Sequence, residues 1–214
     1  MTSTLKSGNR LRRWEAALLM GLAFTLLAGV WLDGQQAALS DKVIRLHVIA
    51  NSDTDSDQAL KLKVRDRILE ESAQLFTSAR SVNDAAEALT AALPRLTQAG
   101  EATVRAEGYD YPVTVSLEDN VWFPTKQYTD FALPQGSYTA LRVVIGEGAG
   151  HNWWCVVFPP LCLGSVTETV EDASALGTLS QDDVALITGE DEGYIVKFKA
   201  IELWEDFKGW TEGR

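Results

Sequence analysis

From residue 43 onward the chain alternates between two hydrophobic periods. Val43 to Ala50 repeats every second residue: Ile44, Leu46, Val48 and Ala50 share one side, Arg45 and His47 the other. That is the pattern of a strand with one buried face. The period then lengthens. Between Asp57 and Phe76, Leu60, Val64, Ile68 and Leu75 fall in one sector of a helix. Leu62, Leu69, Ala73 and Phe76 fall in a second, and Lys63, Asp66, Arg67, Glu70 and Gln74 form a solvated face. Two apolar stripes predict contact with a sheet and with another helix. Asp55 and Gln58 fit a capping box at the start. Ser81 with Asp84 opens a second helix to about Leu93. Pro94 suits a first turn and not a helix interior, so it predicts a break and a third helix ending near Gly108.

Period-two alternation returns at Val113, Val115 and Leu117 against Thr114, Ser116 and Glu118. Trp122 to Gly136, rich in aromatics and proline, is predicted irregular. Tyr138 to Ile145 and Trp153 to Phe158 read as two further strands, the latter ended by Pro159 and Pro160, which cannot donate to a ladder. One strand, then helices, then a run of strands predicts an α+β fold: a mostly antiparallel sheet of about four strands with helices packed on one face. The order is compatible with a strand from each end joining a central antiparallel hairpin. Thr167 to Glu192 holds eight acidic residues and no basic one, which predicts a solvated excursion. Gly193 to Trp210 returns to apolar periodicity and is read as a short strand followed by an amphipathic helix through Ile201, Trp204 and Phe207.

The first 40 residues follow another rule. Residues 1–13 are polar and basic, and Ala16 to Leu32 is a run of 17 residues without a charge. This is the pattern of a signal peptide or a short anchor, with the basic flank on the cytoplasmic side and the rest outside. Residues 1–40 are therefore read as a signal peptide or membrane anchor with a linker, and residues 41–214 as a single extracytoplasmic α+β domain. The membrane is a partner through residues 14–32 if the segment is not cleaved.

Charge narrows the function. The formal net charge is −11, and after residue 40 the chain holds 15 basic against 28 acidic residues. Binding to a phosphate backbone needs clustered Lys and Arg, so nucleic acid is not an expected partner. Asp53, Asp55 and Asp57 alternate like a calcium loop, but Gln58 and Val64 stand where an EF-hand needs Gly and Glu. Two cysteines and two histidines, spaced unlike any zinc motif, supply no metal site. No cofactor is expected.

The densest stretch is Gly146-Glu-Gly-Ala-Gly-His-Asn-Trp-Trp-Cys155, continuing to Cys162. Its glycines allow a tight turn presenting His151 and Asn152. Cys155 and His151 could form a nucleophile and its base, but no orienting third group is visible. Cys155 and Cys162 could instead form a disulfide in an oxidising compartment, or stay reduced in the structure. Trp153 and Trp154 point to opposite faces of one strand. Arg45 and Arg142 lie among apolar neighbours, and a buried arginine needs a partner; Asp53 and Glu147 are available for an ion pair.

This stretch resembles the signature of the stage II sporulation protein R family. Two more blocks, in the family's order, carry the resemblance: Ile44-Arg-Leu-His-Val-Ile-Ala-Asn-Ser-Asp53 with Asp57 to Asp66, and Phe123-Pro-Thr with Leu133 to Ile145. The resemblance implies a signalling protein and no enzyme. It implies a chain made in the forespore and exported into the space between the two membranes that separate forespore and mother cell. There it would trigger a membrane-embedded aspartic protease of the mother cell, which processes the precursor of the early mother-cell sigma factor. The candidate partner-binding residues are Gly148, Gly150, His151, Asn152, Trp153 and Trp154 with Asn51, Ser52 and Asp53, chosen by signature position and loop placement. The competing expectation is a secreted hydrolase using Cys155 and His151.

Overall fold

The computed structural model describes residues 14–27, 39–77, 79–128 and 132–162, with residues 179, 184, 187, 203, 204 and 210. Residues 14–27 form a helix, α1, whose apolar side chains, among them Trp14, Leu18, Met20 and Phe24, are exposed on every side. Among the described residues no helix is long and apolar enough to cross a membrane. After it come β1 (Ile44–Ile49), α2 (Asp55–Leu75), α3 (Val82–Ala106) and β2 (Val113–Phe123). A small hairpin, β3 (Lys126–Gln127) with β4 (Ala132–Leu133), precedes β5 (Gly136–Ile145) and β6 (Asn152–Phe158).

The architecture is α+β. The four-stranded sheet has the order β2-β5-β1-β6 and is mixed: β1 runs parallel to β5, while β2–β5 and β1–β6 are antiparallel. β2 and β5 form an antiparallel pair, but β5 and β6, adjacent in sequence, do not pair with each other. β1 sits between β5 and β6, so the chain leaving β5 must arch over the end of β1 before it can return as β6. At a strand spacing of ~4.8 Å, that arch spans roughly 10 Å. It is the feature on which the rest of the molecule turns.

One sheet face is covered by both helices. Leu46, Val48, Leu141, Val143, Val115, Cys155 and Val157 meet Leu60, Val64 and Ile68 of α2 and Leu89, Leu96 and Val104 of α3 in one buried cluster. The charged face of α2 is solvated as its periodicity predicted, but Leu62 of the second apolar sector is exposed. The helix also starts two residues earlier than expected. Thr54 is the N-cap, its Oγ1 accepting from the Asp57 amide at 3.3 Å, and Gln58 reaches past the cap to the Ser52 carbonyl at 2.9 Å. The cap of α3 is Ser81, as predicted from Ser81 and Asp84.

Pro94 does not break the chain; α3 runs through it. The buried positions Ala85, Leu89, Ala92, Leu96, Gly100 and Val104 keep helical spacing on both sides of the proline. Pro94 itself is exposed, so the carbonyl it leaves unbonded faces water. Apolar burial over six turns outweighs one lost hydrogen bond. At the other end, a Cβ on Gly100 would stand 2.9 Å from Val113 Cγ1, so the glycine lets α3 close onto β2.

The stretch 122–136 is more regular than predicted. β2 continues to Phe123 past a bulge at Asp119 and Asn120, where Asn120 takes φ 58°. The bulge turns Val121 and Phe123 to the second face, where they join Val43, Leu133, Tyr138, Ala140 and Val156 in a second core. Leu179 and Ile187 are buried in that same core. At least these two residues of the acidic run are therefore inside the protein, and the expectation of a wholly solvated excursion fails there, because each supplies an apolar side chain between the charges. The rest of that run, and nearly all of 193–210, lie outside the described residues.

Candidate functional site

The arch from β5 to β6 meets the end of β1 and the start of α2 in one polar junction. Gly146 takes φ 59° and Gly148 φ 62°. A Cβ at Gly146 would lie 2.2 Å from Asn51 Oδ1, and one at Gly150 would lie 2.2 Å from the Ser52 carbonyl oxygen. The glycines are therefore required for two backbones to touch, beyond any need for a turn. Across that contact the Ala149 amide donates to the Asn51 carbonyl (3.1 Å), the Gly150 amide to the Ala50 carbonyl (2.9 Å) and the Glu147 amide to Asn51 Oδ1 (3.0 Å). Asp53 Oδ1 accepts from the His151 amide at 2.6 Å and pairs with His151 Nδ1.

Beneath the junction lie two polar residues, Asp57 and Lys61, to which the sequence reading gave no place in the site. Asp57 is buried; its Oδ2 accepts from Ser52 Oγ (2.6 Å) and Asn51 Nδ2 (2.8 Å). Those bonds hold its carboxyl below the usual carboxylate range. Lys61, only 4% exposed, donates to Gln58 Oε1 (2.6 Å) and to the His151 carbonyl (3.0 Å). Burial lowers its pKa. Asp57 and Lys61 sit at i and i+4 on the buried stripe of α2, beside Leu60 and Val64. Polar residues at core positions of a helix were the available signal. They anchor the arch from below.

The junction thus joins all the candidate loop residues: Asn51, Ser52 and Asp53 on one side, Gly148, Gly150, His151 and Asn152 on the other. The two tryptophans diverge as the strand pattern predicts. Trp153 lies on the helix side, 37% exposed, with the Arg65 guanidinium 4.3 Å from its ring centroid. Trp154 lies on the other face, half-buried and stacked on His47 at 6.1 Å. The two blocks that meet here are separated by 96 and 98 residues at their bonds.

Comparison with known proteins adds the family. A family model for stage II sporulation protein R matches residues 40–168. This chain belongs to that family. Stage II sporulation protein R of Bacillus subtilis (strain 168) is 35% identical to it over 191 residues, which cover 81% of this chain and 85% of that protein. No solved structure matches the chain. Its role is accordingly in sporulation, and the matched region begins just before β1 and contains the whole junction.

In this family member the far side of the arch is also fixed. His47 Nε2 lies 2.9 Å from Asn152 Oδ1, and burial lowers the His47 pKa, with the nearby Arg142 adding to the effect. Arg142 pairs with Glu118 at 3.4 Å. Cys155 and Cys162 are joined as a disulfide with Cα atoms 6.0 Å apart. Cys162 Sγ accepts from the outward amide of Val156 at 3.0 Å, and Tyr128 Oη donates to the Trp154 carbonyl at 3.2 Å. β6 is an edge strand, and these two contacts cover its distal half against pairing with another chain. What it still presents is its beginning, where the His151 side chain is 77% exposed. Among the described residues no three His, Cys, Asp or Glu converge as metal ligands.

The depressed pKa of Asp57 gives the first prediction. A carboxylate lowered from 3.8 in the folded state stabilises the fold above that value and loses its contribution as pH falls through the folded pKa. Melting temperature is expected to drop on acidification below about pH 4, and Asp57→Asn should flatten that drop. Asp84, lowered by bonds from the Arg80 and Ser81 region, supplies part of the slope that remains. A variant with an unchanged acid limb would show that Asp57 is not a principal acid-labile contact.

Proposed function

We propose that this chain is an exported signalling protein, and that it activates a membrane-embedded aspartic protease which processes the precursor of the early mother-cell sigma factor. The observation that carries the reading is the glycine-dependent junction. It spends a buried Asp57 and a buried Lys61 on holding a loop whose outer side chains, His151 and Asn152, cover no core. A fold holds an exposed polar loop this firmly when the loop is read by something else. Membership of a sporulation family supports the setting.

The hydrolase reading fares less well. Cys155 is buried and bonded to Cys162, and a disulfide sulfur offers no thiolate nucleophile. His151 engages Asp53 at the loop surface. Ligand rather than enzyme is the reading the site favours.

The test is reconstitution. The chain is co-expressed with the protease and the sigma-factor precursor in a host that does not sporulate. Processing that depends on all three supports the proposal, and processing that ignores this chain sinks it.

Export is the second prediction. The exposed apolar surface of α1 follows a basic flank and fits a translocation signal or anchor. Deleting residues 14–32 is expected to hold the chain in the forespore cytoplasm and remove signalling. A foreign signal peptide placed on residues 41–214 should restore it. Fractionation with a processing assay reads both outcomes, and full activity of the leaderless cytoplasmic chain would refute the export step.

A further inference from the structure

Arg45 is the most anomalous side chain in the protein. It is fully buried on the sheet face away from the helices. Its guanidinium carbon lies 4.3 Å from the Phe123 ring centroid and 5.0 Å from that of Tyr138. Nη2 donates to Tyr128 Oη at 3.3 Å, while among the described residues Nε and Nη1 find no hydrogen-bond partner. Of the carboxylates that the sequence offered, Asp53 faces His151 and Glu147 is exposed on the arch. Among the described residues no ion pair reaches Arg45, whereas Arg142, on the neighbouring strand β5, has Glu118. His47, next along the same face of β1, is pushed toward its neutral form by burial and supplies no negative charge.

A guanidinium cannot lose its proton to escape burial. Aromatic faces offset part of the cost of desolvating it, and the remainder calls for an anion with hydrogen-bond acceptors. The group that fits is planar and singly charged. One carboxylate neutralises one guanidinium and accepts from its free N–H groups, while a phosphate dianion would leave excess charge in an apolar site. The cover over Arg45 includes Tyr128, just beyond β3, which is itself only partly buried, so rotation of that side chain opens a path to the guanidinium.

We propose that Arg45, between Phe123 and Tyr138 and behind the Tyr128 side chain, is a binding site for one carboxylate group from outside the chain. The site is separate from the loop junction, so it stands or falls independently of the signalling reading.

The test uses the full chain and two probes at constant ionic strength against chloride: sodium acetate, and the blocked peptide acetyl-Ala-Glu-Ala-amide, whose single charge is a side-chain carboxylate. Melting temperature and the Arg45 Nε–H resonance are followed in each titration. The expected result is a saturable rise in melting temperature and a shift of that resonance, with an acetate midpoint on the order of millimolar. Arg45→Met should weaken the response at least tenfold, and without ligand should melt at or above the parent, because an apolar side chain replaces an unpaired buried charge. Tighter binding of the peptide assigns the site to an acidic side chain of a protein; equal or tighter binding of acetate assigns it to a free small acid. If neither probe acts beyond chloride, or Arg45→Met responds like the parent, the proposal is overturned. Should Arg45→Met fail to fold, the Nε–H resonance of the parent decides alone: no shift with either probe overturns it.

Discussion

Gly150→Ala is expected to abolish activation of the protease while leaving the sheet folded. The added Cβ would stand 2.2 Å from the Ser52 carbonyl oxygen and 2.5 Å from its carbon. Backbone cannot swing aside as a lysine tip can, so the arch must lift from β1. With it go the Gly150–Ala50 and Ala149–Asn51 bonds, and the His151 amide loses Asp53. The stability cost should be ~1–3 kcal/mol, the usual range for overpacking a tight contact. Denaturation midpoint and precursor processing measure the two effects separately. A variant that processes normally would mean that the docked position of the arch is irrelevant to signalling.

The second large effect is expected from His151→Ala combined with Asn152→Ala. Both side chains are exposed, and their removal deletes one contact each, to Asp53 and to His47. Neither fills the core, so stability should stay within about 1 kcal/mol of the parent. Signalling should nevertheless be lost, since these are the groups the junction displays. The contrast between the two variants is informative: one moves an intact set of side chains, the other removes them from an intact frame. If the double variant signals normally, the arch is scaffold, and the activating surface has to be sought at Ser52 and Asp53 or around Trp153.

Much of this was legible in the sequence wherever a single period ran without conflict. The alternation of Ile44, Leu46 and Val48 gave β1 and its inward face, and Ser81 gave the start of α3. The periodicity also put Trp153 and Trp154 on opposite sides. Legibility failed where a local rule met a non-local force. Pro94 argued for a break, and the buried positions from Ala85 to Val104 overrode it. The run from 122 to 136 looked irregular because the bulge at Asn120 shifts the phase of the alternation, so one strand reads as two unrelated pieces. Arg45 was expected to find a carboxylate because a buried arginine needs one, but Asp53 pairs with His151 and Glu147 is exposed on the arch. Strand order was the largest gap. Glycines between two apolar runs read as a tight turn, and nothing local reveals that a strand from far upstream lies between those runs.

The insertion of β1 between β5 and β6 makes the displayed loop a coincidence detector for the chain's own integrity. Its geometry needs Asn51 and Asp53 from one end of the domain and Gly146 to His151 from the other, joined across 96 and 98 residues. A C-terminal fragment cut after Asp53, or a chain caught with the sheet half assembled, contains Gly146 to His151 and still lacks the loop's geometry. Under the proposed signalling role, such a requirement suppresses false alarms: debris of the chain would be mute, and only the intact domain would be heard.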